Sequence, residues 1–162
     1  MRSSPFGALD TLADTAATGD RDAARHLLDI VWPILVRRCR AELDSTTADS
    51  VATAVSSTAL RAFPHRRPPQ QPLLRVLEAT TNSMIDRTGA ADPTSRKPGP
   101  LAALPGTQRE VLILRLVVGL SVDDTATSLG RTSAEVLLDQ HRALQKLREI
   151  GIPHERLPPS RR

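Results

Sequence analysis

The sequence has 162 residues, of which 40% are hydrophobic and only 2% aromatic, and its formal net charge is +4. That length fits one ordinary domain or two small ones, and the scarcity of aromatic side chains argues against a β-sandwich or β-barrel. The modest basic excess permits contact with nucleic acid but does not require it, since a solvated surface explains it equally well.

A single cysteine excludes an internal disulfide. The four histidines are too scattered to suggest a metal site, so we expect no metal and no other cofactor. No apolar run is long enough to cross a membrane. We therefore expect a cytoplasmic protein without membrane insertion.

Apolar residues recur at helical spacing in the first half of the chain. The pattern predicts four helices, over residues 7–18, 21–43, 48–63 and 73–88. Asp20 is a suitable cap for the second helix, Pro33 predicts a kink within it, and Pro64 is expected to end the third. Residues 65–72 contain three prolines, which predicts an extended loop.

The C-terminal third carries clear signals for helix ends. Three helices are predicted, over residues 108–118, 121–129 and 132–150. Thr107 and Glu110 form the pattern of a capping box, and so do Thr132 and Glu135. The last two helices are joined by a short turn at Gly130, with small and apolar residues at the spacing of a helix-turn-helix.

The predicted fold class is all-α, with two small helical domains at residues 7–88 and 101–150. Residues 89–100 are rich in Pro and Gly and are predicted to form a linker, and residues 151–162 a flexible tail. Twelve linker residues span at most about 40 Å when fully extended.

Several segments resemble bacterial sigma-70-family factors. The C-terminal segments Leu104–Arg115, Val118–Ser121 and Gln140–Leu144 closely resemble region 4 of that family. The N-terminal segments that resemble region 2 are Gly19–Ala23, Arg37–Ala41 and Asn82–Arg87. The chain is most similar to the extracytoplasmic-function (ECF) group, in its actinobacterial branch.

The resemblance implies a protein that binds core RNA polymerase and promoter DNA. Region 2 would dock on polymerase and on the −10 element, and the helix-turn-helix of region 4 would read the −35 element. The resemblance implies binding rather than catalysis, so the chain is not expected to be an enzyme. An anti-sigma factor is a further candidate partner.

Two sets of site residues follow from the resemblance. Outward residues near the start of a recognition helix face base edges in the major groove, which predicts DNA contacts by Arg131, Thr132, Ser133, Glu135, Leu137, Leu138, His141 and Arg142. Contacts with polymerase and the −10 element are predicted for Asp49, Arg61, Arg66, Arg67, Arg75, Asn82 and Arg87. For Arg142 the alternative is a solvated helix charge.

Departures from the family pattern keep other functions open. Leu137 stands where the family usually has Arg, and helix 132–150 has three basic and three acidic residues, so it lacks the net charge that attracts phosphates. Leu137 and Leu138 fit either thymine methyl groups or a protein partner. One alternative is a divergent sigma-like protein that binds polymerase, an anti-sigma factor or another regulator without autonomous initiation. Another is a helix-turn-helix regulator that does not contact polymerase.

Overall fold

The computed structural model describes residues 6–66 and 71–151, and the described chain is helical without β-strands. The predicted all-α fold class is confirmed. The α-helices of this part are α1 (Leu9–Ala17), α2 (Arg21–Arg40), α3 (Ser45–Arg66), α4 (Leu73–Ala91), α5 (Gly106–Leu112), α6 (Val122–Leu129) and α7 (Ser133–Gly151). A π-helical segment, Ile113–Val118, continues α5 up to Gly119.

Helix α3 is longer than the sequence predicted. It begins at Ser45 because the Asp44 carboxylate accepts a hydrogen bond from the Thr47 amide at 3.0 Å, so Asp44 caps the helix. At the other end it continues through Pro64 to Arg66, which corrects both the predicted stop and the extended conformation of residues 65 and 66. Proline removes one hydrogen bond but has a helical φ, so the last turn persists.

The predicted linker is largely ordered by contacts. Helix α4 runs through Gly89 to Ala91, and Pro93–Ser95 forms a 3-10 turn capped by Asp92. The Lys97 amide donates to the Glu42 carbonyl at 2.8 Å, which fixes this segment against the turn after α2. Gly89 lets Arg96 approach closely, because a Cβ at that position would lie 2.2 Å from Arg96 Nε and the arginine would have to shift. The predicted helix end at residue 88 is therefore wrong.

Two apolar cores lie on either side of this segment. Helices α1 to α4 enclose one core, which includes Leu35, Val55 and Ile85. The second half encloses smaller clusters, in one of which Val111, Ala126 and Val136 pack together.

The two halves meet at a contact that we call the junction, formed by α2 and α4 on one side and by α5, its π-helical continuation and α6 on the other. Its apolar part consists of Ile113, Leu114, Val118 and Leu120 packed against Ile34 and Ala41.

Candidate DNA-binding and polymerase-binding surfaces

Helices α6 and α7 form the predicted helix-turn-helix. Gly130 ends α6 with φ of +64°, a left-handed conformation that favours glycine, and the Arg131 amide donates back to the Ala126 carbonyl at 2.9 Å. Val136 and Ala143 are buried on the inner face of α7. The opposite face of α7 is consequently available to a ligand.

Polar side chains at the start of α7 are bound to neighbouring side chains. The capping box predicted at Thr132 is present: its amide donates to Glu135 Oε2 at 2.8 Å, and the Glu135 amide donates to Thr132 Oγ1 at 3.2 Å. The backbone and side-chain hydrogen bonds from Thr132 lower the pKa of Glu135. Ser133 Oγ donates to Asp123 Oδ1 at 2.7 Å, and Arg131 forms an ion pair with Asp139.

The remaining predicted DNA-contact residues are exposed on α7. Leu137 and Leu138 are 52% and 47% exposed. His141 and Arg142 are also exposed. The structure thus divides the predicted set into residues engaged within the helix-turn-helix and residues that face outward.

A buried arginine that the sequence did not single out lies beside the junction and binds α2 to α4. Arg38 is 1% exposed, and its guanidinium donates to Glu78 at 2.8 Å, to Glu42 at 2.5 Å and to Asn82 Oδ1 at 3.0 Å. Burial alone would lower the pKa of Arg38, but the carboxylates of Glu78 and Glu42 raise it above its ordinary value. The four-residue spacing of Arg38 and Glu42 was the signal that could have identified this pair.

The network continues from Arg38 into the second half of the chain. Asn82 Nδ2 donates to Glu110 Oε1 at 2.7 Å. Burial raises the pKa of Glu110, and the hydrogen bond from Asn82 opposes that shift. The capping box predicted at Thr107 and Glu110 is therefore wrong, because the α5 N-terminus has no side-chain cap and Glu110 contacts α4 instead.

Glu42 links the network to the segment between the two halves. Its Oε2 accepts from Arg96 Nη1 at 2.9 Å and lies 3.3 Å from Arg109 Nε, an ion-pair contact without hydrogen-bond geometry. Arg96 also pairs with Asp86 at 2.8 Å. Segment 92–99 is thus bound through Arg96 to the turn after α2 and to α4.

The residues predicted to contact polymerase and the −10 element do not lie on one common surface. Asn82 and Arg75 lie at the junction: the Arg75 guanidinium is so close to Gly130 that a Cβ there would meet its Cζ at 2.6 Å. Asp49 lies on the outer side of α3, where its carboxylate forms two hydrogen bonds with Arg40, at 3.0 and 2.8 Å. The hydrogen bonds from Arg40 lower the pKa of Asp49.

The other members of that set are basic. Arg61 and Arg87 are exposed, and Arg87 lines an open groove between α3 and α4. Arg66 is the last residue of α3. Arg67 lies outside the described residues, as does most of the predicted tail.

No helix of the described residues is long and apolar enough to span a membrane. Within residues 6–66 and 71–151, no group of three or more His, Cys, Asp or Glu side chains is arranged to hold a metal ion.

Comparison with known proteins decides the family. Residues 101–147 match the sequence model of the family described as Sigma-70, region 4. The ECF RNA polymerase sigma factor SigD of Mycobacterium tuberculosis (strain ATCC 25618 / H37Rv) is 35% identical over 175 residues, which cover 87% of this chain and 82% of SigD. The chain belongs to the ECF sigma factor family. The family resemblance predicted from the sequence is confirmed.

Other relatives agree with this assignment. The ECF RNA polymerase sigma factor ShbA of Streptomyces griseus is 28% identical over 189 residues, covering 93% of this chain and 99% of ShbA. The solved structure of CnrH in complex with the cytosolic domain of CnrY has a TM-score of 0.64 and 25% identity, over 88% of this sigma factor and 96% of CnrH. As a member of the family, the chain is a sigma factor that acts in promoter-specific transcription initiation.

Proposed function

We propose that this sigma factor recruits core RNA polymerase to promoters through two separate surfaces. Helices α1 to α4 bind polymerase and the −10 element, and α7 reads the −35 element from the major groove. The observation that carries this proposal is the helix-turn-helix, in which Val136 is buried while the opposite face of α7 is exposed. The chain supplies binding and no catalytic step, and it acts in the cytoplasm, where polymerase and chromosome are found.

The proposal includes separation of the two halves. Promoter elements about two duplex turns apart lie about 70 Å from each other, whereas α4 packs directly against α6. The eight residues from Asp92 to Gly99 span at most about 28 Å. Two units divided near residues 89–100 therefore have to move apart for both surfaces to reach DNA, and the pair between Arg96 and Glu42 resists that movement.

The test is co-purification of the full chain with core polymerase, followed by run-off transcription. We expect Asp49→Arg and Arg61→Glu to weaken polymerase binding without unfolding the first half. Asp49→Asn is the matched control, because it removes the pair with Arg40 without reversing the charge. Unchanged recovery of polymerase with both reversed variants would contradict the assignment of this surface.

A second candidate is an interaction role without autonomous initiation, in which the chain binds an anti-sigma factor or another regulator. Two observations favour it. Leu137 and Leu138 are exposed, and the solved structure of the similar protein CnrH is a complex with the cytosolic domain of CnrY. Polymerase binding without any run-off product would favour this candidate over the first.

A further inference from the structure

The first two turns of α7 expose two leucines where a DNA-reading helix usually presents hydrogen-bond donors. Ala134, Leu138 and His141 recur at spacings of four and three residues, so they share one side of the helix with Leu137. Val136 and Ala143 occupy the buried side. The exposed leucines belong to the first two turns, the part of a recognition helix that reaches base edges.

The polar alternatives in the same two turns are already engaged. The Ser133 hydroxyl is 2.7 Å from Asp123, the Thr132 hydroxyl is 2.8 Å from Glu135, and Arg131 is paired with Asp139. A donor that holds an internal partner must lose it before it reads a base, which reduces the gain from the new contact. Base discrimination in these turns therefore depends on the apolar side chains.

Only thymine among the four bases presents an apolar group in the major groove, its C5 methyl. We propose that Leu137 and Leu138 contribute to the promoter specificity of this sigma factor by contacting thymine methyl groups in the −35 element. This inference rests on the proposed entry of α7 into the major groove. It assigns Leu137 and Leu138 to DNA rather than to a protein partner.

The test compares thymine with uracil, which lacks the methyl and has the same hydrogen-bonding pattern. A duplex is first selected from a random library by the full chain bound to core polymerase. Thymines in the selected upstream element are then replaced by uracil, one at a time, and the affinity is measured again. For each contacted methyl we expect about fourfold weaker binding, the effect of one buried methyl-sized group.

Substitutions of the two leucines test whether these side chains cause the weaker binding to uracil. Leu137→Ala and Leu138→Ala should each reduce the discrimination between thymine and uracil, while the wild-type chain retains it. Ile150→Ala is the matched control, because Ile150 is 47% exposed near the far end of the same helix. We expect this control to discriminate like the wild type.

The possible results separate the inference from the proposed function. Sequence-specific binding that is equally strong with uracil, or a selected element without thymine, overturns the inference and leaves the proposed function standing. Absence of any sequence-specific binding overturns both. Retention of full discrimination in both leucine variants also overturns the inference. The uracil comparison needs no altered protein, so misfolding of a variant does not affect it.

Discussion

The junction and the helix-turn-helix both contain ion pairs between arginine and carboxylates, but the pairs differ in burial. At the junction, Arg38 is buried with two carboxylates and an amide, and each of its partners comes from α4 or the turn after α2. On the helix-turn-helix, Arg131 and Asp139 pair across a partly exposed surface. A buried pair costs several kcal/mol when one partner is removed, whereas an exposed pair contributes about 0–1 kcal/mol. Charge therefore contributes more to the packing of α2 against α4 than to the helix-turn-helix.

Removal of Arg38 should have the largest effect. Arg38→Met leaves Glu42 and Glu78 buried without their shared cation, and we expect a loss of about 3–5 kcal/mol in the free energy of unfolding. Denaturant unfolding measures it. Arg25→Met is the control, because Arg25 is exposed and lies 3.7 Å from Asp22, so its removal should change stability little. Equal effects of the two substitutions would contradict the role assigned to the junction.

Arg142→Ala tests DNA binding by the exposed face of α7. Loss of a cation that contacts guanine should cost about 1–3 kcal/mol of sequence-specific affinity, whereas loss of a phosphate contact should weaken binding to all sequences alike; neither should change unfolding. DNA titrations with the polymerase-bound chain measure it. Arg148, on the last turns of α7, provides the matched control, and Arg148→Ala should retain specificity. If specific DNA binding is unchanged by Arg142→Ala, the proposed placement of α7 in the major groove is wrong.

Gly130→Ala tests the contact between the turn of the helix-turn-helix and Arg75 on α4. The substitution places a Cβ at φ of +64°, which costs about 1–2 kcal/mol for an L-residue, and sets that Cβ 2.6 Å from the Arg75 guanidinium. Because the collision adds to the backbone cost, we expect a larger loss of stability than that in thermal or denaturant unfolding. In an Arg75→Ala background the collision is absent and only the backbone cost remains. An identical loss in both backgrounds would mean that Arg75 moves aside freely.

The sequence predicted local features better than distant ones. The helix-turn-helix was predictable because caps, Gly130 and the buried Val136 act within a few residues of each other. The junction was not, since Arg38 stands among Arg37 and Arg40 at a helix end, where positive charge suits the helix dipole by itself. Its partners on α4 follow about forty residues later, and only the fold brings them together.

Glu110 illustrates the same limit at the candidate site. Its position after Thr107 predicts a capping box, yet a hydrogen bond to Asn82 on α4 prevails. Asn82 itself was predicted to contact polymerase or DNA, and that assignment stays a prediction; in the structure its amide binds Arg38 and Glu110. The eight residues predicted to contact DNA lie at one end of the helix-turn-helix, and which of them touch bases likewise stays a prediction.

The smallest expected effect concerns the pH dependence of the junction. Because burial raises the pKa of Glu110 above its ordinary value, the folded state binds the proton more tightly than the unfolded state. This contribution to stability is present below the unfolded pKa and is lost as pH rises through the folded pKa. Glu110→Gln mimics the protonated carboxyl and still offers an oxygen to Asn82. The free energy of unfolding of the variant should therefore equal that of the wild type at low pH and exceed it progressively above about pH 4.5. Parallel stability curves for the two proteins from pH 4 to pH 8 would show that Glu110 ionises at the junction as easily as it does in water.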